Sequence, residues 1–133
     1  YPGRLCACFG FVPELSRKIY AGADIFLMPS KSEPCGLSQL IAMRMGSVPV
    51  VNATGGLKDT VWPYNEADET GRGFTFQSYN ADDFLAAIDR ALALYYNEPA
   101  KWLRLAENDM EVDSSWDIPA QKYMALFQNI CGQ

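Results

Sequence analysis

Residues 23–61 read ADIFLMPSKSEPCGLSQLIAMRMGSVPVVNATGGLKDTV. The order is an apolar strand (Ile25-Phe26-Leu27-Met28), a polar loop, a helix from about Leu37 to Met45, a second apolar strand (Val48-Pro49-Val50-Val51) and a glycine turn. Strands alternating with helices over such short intervals predict parallel strands joined by crossovers, hence an α/β fold. In that fold the loops after the strands open on a crevice at the carboxyl edge of the sheet. Glu33 lies in the first of these loops, just ahead of the predicted helix, with Gly36 between them to admit close approach. Free amides at a helix start suit a phosphate, and a carboxylate suits a sugar hydroxyl. Together they predict a sugar-nucleotide site. Thr54-Gly55-Gly56 follows the next strand and faces the same crevice.

Outside this stretch the pattern continues. Leu5-Cys6-Ala7-Cys8-Phe9 reads as a short, doubly buried strand ending at Gly10. Pro13 opens a helix through about Ala21, with Leu15, Ile19 and Tyr20 toward the core. Trp62 to Gly73 is polar and predicts an exposed loop, and Phe74-Thr75-Phe76 a further strand. Asn80 caps a long helix, with Asp83 three residues on. Its apolar stripe is Phe84, Ile88, Ala91, Leu92 and Tyr95. A helix after Pro99 carries Trp102, Leu103 and Leu105. Ser114 or Ser115 caps a last helix with a buried stripe of Ala120, Tyr123, Met124, Phe127 and Ile130. The spacing of Trp102 and Trp116 predicts core packing. No linker or repeat divides the chain, so residues 1–133 read as one unit.

The bulk numbers exclude several classes. At 133 residues, with about half of them apolar, the chain has enough for one core and hardly for two. A net charge of −5 argues against a nucleic-acid partner. No apolar run approaches the roughly 18–20 residues of a membrane-spanning helix. Starting at Tyr1 with no leader, the sequence reads as a piece of a longer protein. Histidine is absent, so neither a Ser-His-Asp triad nor a histidine-ligated zinc can be built from this chain alone. Cys6, Cys8, Cys35 and Cys131 form no metal-ligand spacing and read as buried free thiols of a reducing cytoplasm.

The two glycine-bearing motifs at this spacing resemble the donor-sugar domain of glycogen and starch synthases, retaining glucosyltransferases that extend α-1,4-glucan from ADP-glucose or UDP-glucose. Further matches run along nearly the whole chain: Ile19-Tyr20-Ala21-Gly22-Ala23-Asp24, Ser78-Tyr79-Asn80-Ala81-Asp82-Asp83 and Ser115-Trp116. The resemblance implies a Rossmann-like parallel sheet flanked by helices, the C-terminal half-domain of a GT-B glycosyltransferase, with further helices at its C-terminus. It implies that Glu33 contacts the transferred glucose as positive charge develops at the anomeric carbon. Gly36, Leu37 and Ser38 would hold the pyrophosphate through their amides, and Thr54, Gly55 and Gly56 would line the sugar pocket.

Cys35 would lie close to the active site without acting as a nucleophile, and its place beside a helix start predicts sensitivity to thiol reagents. Phe11, where the family usually has tyrosine, could still stack on the nucleotide base. Lys31 is a candidate cation for the donor, whereas Arg44, Lys58 and Arg72 read as solvated. No metal or other cofactor is implied. The partners would be a nucleoside-diphosphate-glucose and an α-1,4-glucan, in a bacterial cytoplasm or a plastid.

Departures matter too. Sucrose-synthase and mannosyltransferase relatives usually carry a second glutamate eight residues after the first. Here that position is Ile41, which weighs against them. The family's Lys-x-Gly-Gly-Leu donor loop, cleft histidine and main diphosphate-binding Arg and Lys match nothing in these residues. The isolated chain is therefore expected to be inert and to bind donor weakly, a non-catalytic nucleotide-sugar or glucan-binding module being the alternative.

Overall fold

The three apolar runs after residue 24 do form a sheet. A computed structural model describes residues 1–132. In chain order the elements are α1 (Pro13–Gly22), β1 (Ile25–Met28), α2 (Ser38–Arg44), β2 (Val48–Asn52), α3 (Gly55–Thr60), β3 (Phe74–Phe76), α4 (Ala81–Asn97), α5 (Pro99–Met110) and α6 (Asp117–Cys131). The strands lie in the order β1-β2-β3, all parallel. Ile25 is opposite Val48 and Met28 opposite Val51, while Val50 is opposite Phe74. Pro49 occupies the second position of the central strand, near its start as expected.

Every residue of β2 is buried, because both faces of the sheet are covered. On one face Val48, Val50, Phe74 and Phe76 meet Ala87, Ala91 and Leu94 of α4 and Trp102, Leu105 and Ala106 of α5. The Trp102 ring stacks on Phe74 at 6.3 Å and takes Tyr95 edge-on at 5.1 Å. On the other face Val51 and Met28 pack with Leu57 and Val61, and Tyr20 of α1 leans on Phe26 at 5.4 Å. Each fully buried aliphatic side chain contributes roughly 1.5–3 kcal/mol. Helix ends follow the sequence signals. Asn80 accepts a hydrogen bond from the Asp83 amide at 2.8 Å. Gly46, at φ +84°, ends α2 with Gly46 N–H donating to Met43 O and Ser47 N–H to Ala42 O, a Schellman closure.

Five expectations need correction. Leu5–Phe9 is irregular and exposed, because a strand needs a ladder and this segment has no partner strand among the described residues. Cys6 and Cys8 therefore lie exposed, their sulfurs 3.7 Å apart; all four cysteines are free but none is buried. Helix α1 buries no residue; of the three expected core residues Leu15 and Ile19 are exposed and Tyr20 is half-covered. Helix α6 likewise buries none: Tyr123, Met124, Phe127 and Ile130 face outward, and Trp116 is exposed too. Its amphipathic pattern is real, but no element among the described residues is packed over the stripe. Trp116, not Ser114 or Ser115, takes the N-cap position, and Ser115 Oγ accepts from the Asp117 amide at 3.3 Å. No described helix is long and apolar enough to cross a membrane.

Candidate functional site

The carboxyl ends of the three strands are Met28, Asn52 and Phe76. From them leave the Pro29–Leu37 loop, the two-residue link into α3, and the Gln77–Asn80 turn. The first two are joined by hydrogen bonds. Asn52, buried at the end of β2, donates through Nδ2 to Ser30 O at 2.8 Å and fixes the loop's start. The Gly56 amide donates to Glu33 O at 3.1 Å. Gln39, fully buried on α2, donates through Nε2 to Cys35 O (3.2 Å), Gly36 O (2.9 Å) and Thr60 Oγ1 (3.1 Å). Thr60 Oγ1 donates in turn to Gly56 O at 2.6 Å.

Glycine is required at this seam. Gly55 has φ +45°, and a Cβ there would collide with the Glu33 carbonyl. A Cβ on Gly56 would run into the Cys35 backbone, meeting its Cα at 2.5 Å. The paired glycines thus do more than turn the chain. They open α3 and let its first residues lie against the Glu33–Cys35 backbone.

The structure brings Glu33, Cys35, Gly36, Leu37 and Ser38 to one side of this seam and Thr54, Gly55 and Gly56 to the other. Glu33 is half-buried, Cys35 exposed and Leu37 exposed. Leu37 is the N-cap of α2 and Thr54 that of α3, and neither side chain caps its helix. Ser38 is the first helical residue of α2 instead of its cap. Lys31 lies exposed at the loop's start, without an ion pair among the described residues. Phe11 is not brought to the seam; it lies 94% exposed ahead of α1. Of the cations read as solvated, Arg72 lies over the Trp62 ring at 4.3 Å, and Arg44 donates to Met110 O.

Sequence reading missed Gln39 and Thr60. The signal for Gln39 was present: a polar residue three and four positions before Ala42 and Met43 occupies the buried face of α2. A concavity of about 350 Å³ at the same sheet edge, lined by Pro29, Phe76, Tyr79 and Phe84, was also not foreseen. At the other end of the sheet, where α2 closes, a cavity of about 460 Å³ is lined by Met43, Arg44, Asp109 and Ser114. Asp109 is 1% exposed, its two carboxyl oxygens have no hydrogen-bond partner among the described residues, and burial pushes its pKa up to about 8 against the opposing pull of Arg72. No group of three or more Cys, Asp or Glu side chains suited to a metal occurs among the described residues.

Comparison with known proteins places these motifs in context. The sequence profile described as glycosyl transferases group 1 matches residues 6–109. A glycogen synthase of Fusobacterium nucleatum is 52% identical over 130 residues, 98% of this chain and 28% of that protein. One from Desulfitobacterium hafniense is 48% identical over 130 residues, again covering 98% of the chain and 28% of that protein. The catalytic domain of starch synthase IV from Arabidopsis thaliana, solved with ADP and acarbose bound, superposes with a TM-score of 0.83 at 39% identity, over 93% of this chain and 26% of that one. A sucrose-phosphate synthase from Thermosynechococcus elongatus gives 0.59 at 28% identity, over 85% of this chain and 27% of that one. The chain therefore spans a little over a quarter of the length of the relatives it matches.

Proposed function

The chain belongs to the group 1 glycosyl transferases, and from that premise we propose that it is the donor-binding half-domain of a longer glucosyltransferase. The reaction would move glucose from ADP-glucose or UDP-glucose to the non-reducing end of an α-1,4-glucan with retained configuration. The observation that carries this reading is the seam at the carboxyl edge of the sheet, where a carboxylate loop and a glycine-started helix are hydrogen-bonded together. Glu33 would hold glucose hydroxyls and stabilise positive charge as the anomeric carbon loses its nucleotide. The backbone around Gly36, Leu37 and Ser38 would receive the diphosphate, helped by Lys31. Thr54, Gly55 and Gly56 would wall the sugar, and Phe11 would stack on the base. No metal has a role in this scheme. The glycogen synthase relatives and the ADP and acarbose held by the starch synthase support the choice of donor and acceptor. The bacterial relatives support a bacterial cytoplasm as the setting.

The remaining three quarters of such an enzyme would supply the acceptor site and further diphosphate contacts, so residues 1–133 alone are expected to transfer no sugar. The test is made on the parent protein, offered labelled ADP-glucose and UDP-glucose separately with glycogen, beside a Glu33→Ala variant. Label entering polymer from one donor, and reduced about 100-fold or more in the variant, is the expected result. No incorporation from either donor by folded protein would favour a non-catalytic nucleotide-sugar or glucan-binding module.

A further inference from the structure

We infer that Gln39, acting with Thr60, is a positioning residue that fastens the Glu33 loop to the start of α3, so that the two donor-facing segments behave as one unit. This rests on the donor site proposed above. The hydrogen bonds close a ring: Gly56 N–H to Glu33 O, Thr60 Oγ1 to Gly56 O, Gln39 Nε2 to Thr60 Oγ1, and Gln39 Nε2 back to Cys35 O and Gly36 O. The chemistry fixes the orientation of the amide. Three oxygens surround Nε2, two of them carbonyls that can only accept, and the Thr60 proton is committed to Gly56 O. Turning the amide over would aim Oε1 at all three. With two protons for three acceptors, the adjacent Cys35 and Gly36 carbonyls share one.

The arrangement costs stability. Gln39 is fully buried, and its Oε1 has no partner among the described residues. A buried orphan acceptor costs about 1–3 kcal/mol, and an apolar residue on this face of α2 would avoid that. What the amide supplies in exchange is a cross-link between segments 21 residues apart. It also limits the neighbouring position, since a Cβ on Gly36 would meet Oε1 at 2.5 Å. Glu33 lies two residues before the first clamped carbonyl. A loop carrying a carboxylate that must meet a developing charge loses about 100-fold in rate for a misplacement of ~1 Å. Gln39 and Thr60 touch neither sugar nor phosphate in this scheme; they act through the backbone of residues 33–36 and 56.

Two measurements test the clamp. In the parent protein, amide exchange at Gly56 is compared in wild type, Gln39→Met, Thr60→Val and Thr60→Ser. Met and Val keep the volume but cannot make the bond. Faster exchange at Gly56 by about tenfold or more in Gln39→Met and Thr60→Val, with Val50 and Val51 unchanged and Thr60→Ser like wild type, is expected. In the parent enzyme the same two variants should lose about 10- to 100-fold in kcat with the acceptor KM within twofold of wild type, and Thr60→Ser should restore it. Unchanged Gly56 exchange in both variants, or unchanged kcat in both, would overturn the inference. An inactive wild-type parent would count against the donor-site reading, while the exchange data still decide the clamp.

Discussion

Asp109 makes the chain's stability depend on pH in a direction opposite to that of a carboxylate held ionised by a native partner. It sits at the end of α5 with both oxygens buried and unpartnered, and burial raises its pKa from 3.8 to about 8, Arg72 opposing. Between those values the folded chain holds a proton that the unfolded chain releases. The resulting stability is fully present below about pH 4, falls as pH rises, and is gone above about pH 8. The interval at ~1.4 kcal/mol per pH unit sets a ceiling of about 6 kcal/mol. That would be much of the 5–15 kcal/mol stability of a typical domain. Relaxation that lets water reach the carboxyl would bring the observed loss to a few kcal/mol, or on the order of 10 °C in melting temperature for a domain of this size. Asp109→Asn keeps the shape and removes the proton equilibrium. Melting temperatures of the two proteins from pH 4 to 9 at constant ionic strength should converge at the acid end and separate toward pH 8, the variant being more stable there. Parallel curves across that range would refute the reasoning, since a carboxyl that does not resist ionisation cannot be buried and unpartnered.

Three further outcomes follow from the geometry. Gly56→Ala should destabilise by about 3 kcal/mol or more in urea unfolding, because its Cβ meets Cys35 backbone that cannot rotate away; Gly22→Ala, with nothing within 4 Å, should be neutral or slightly stabilising. Asn80→Ala removes the side-chain cap of α4 and should cost about 1 kcal/mol in the same assay. In the parent enzyme, Cys35 should react with a maleimide and ADP-glucose should slow that reaction, while Cys131, on α6, reacts at the same rate with or without donor.

What could be read from residues alone was the part whose pattern carries its own partner. Val48–Val51 is apolar at every position because helices cover both faces, Asn80 marks a helix start through its side chain's bond from the Asp83 amide, and Gly46 marks a helix end through its backbone. The stripes on α1 and α6 were equally legible as stripes, but amphipathicity says that a face is apolar and not what lies over it. Leu5–Phe9 fails in the same way, since a ladder needs a second strand and an apolar run alone cannot supply it. At the site, glycines and a carboxylate stand out because their chemistry is unusual for a loop. Gln39 did not, because its task depends on Thr60, 21 positions away, and only the fold brings the two within 3.1 Å.

The most direct measurement is a crystal structure of the parent protein with ADP-glucose or UDP-glucose bound. The diphosphate is predicted within hydrogen-bond reach of the Gly36–Ser38 backbone, with the Glu33 carboxylate on glucose hydroxyls and Gly55-Gly56 against the sugar. A donor bound elsewhere, with Glu33 turned to solvent and the seam unoccupied, would contradict the assignment of this crevice as the donor site.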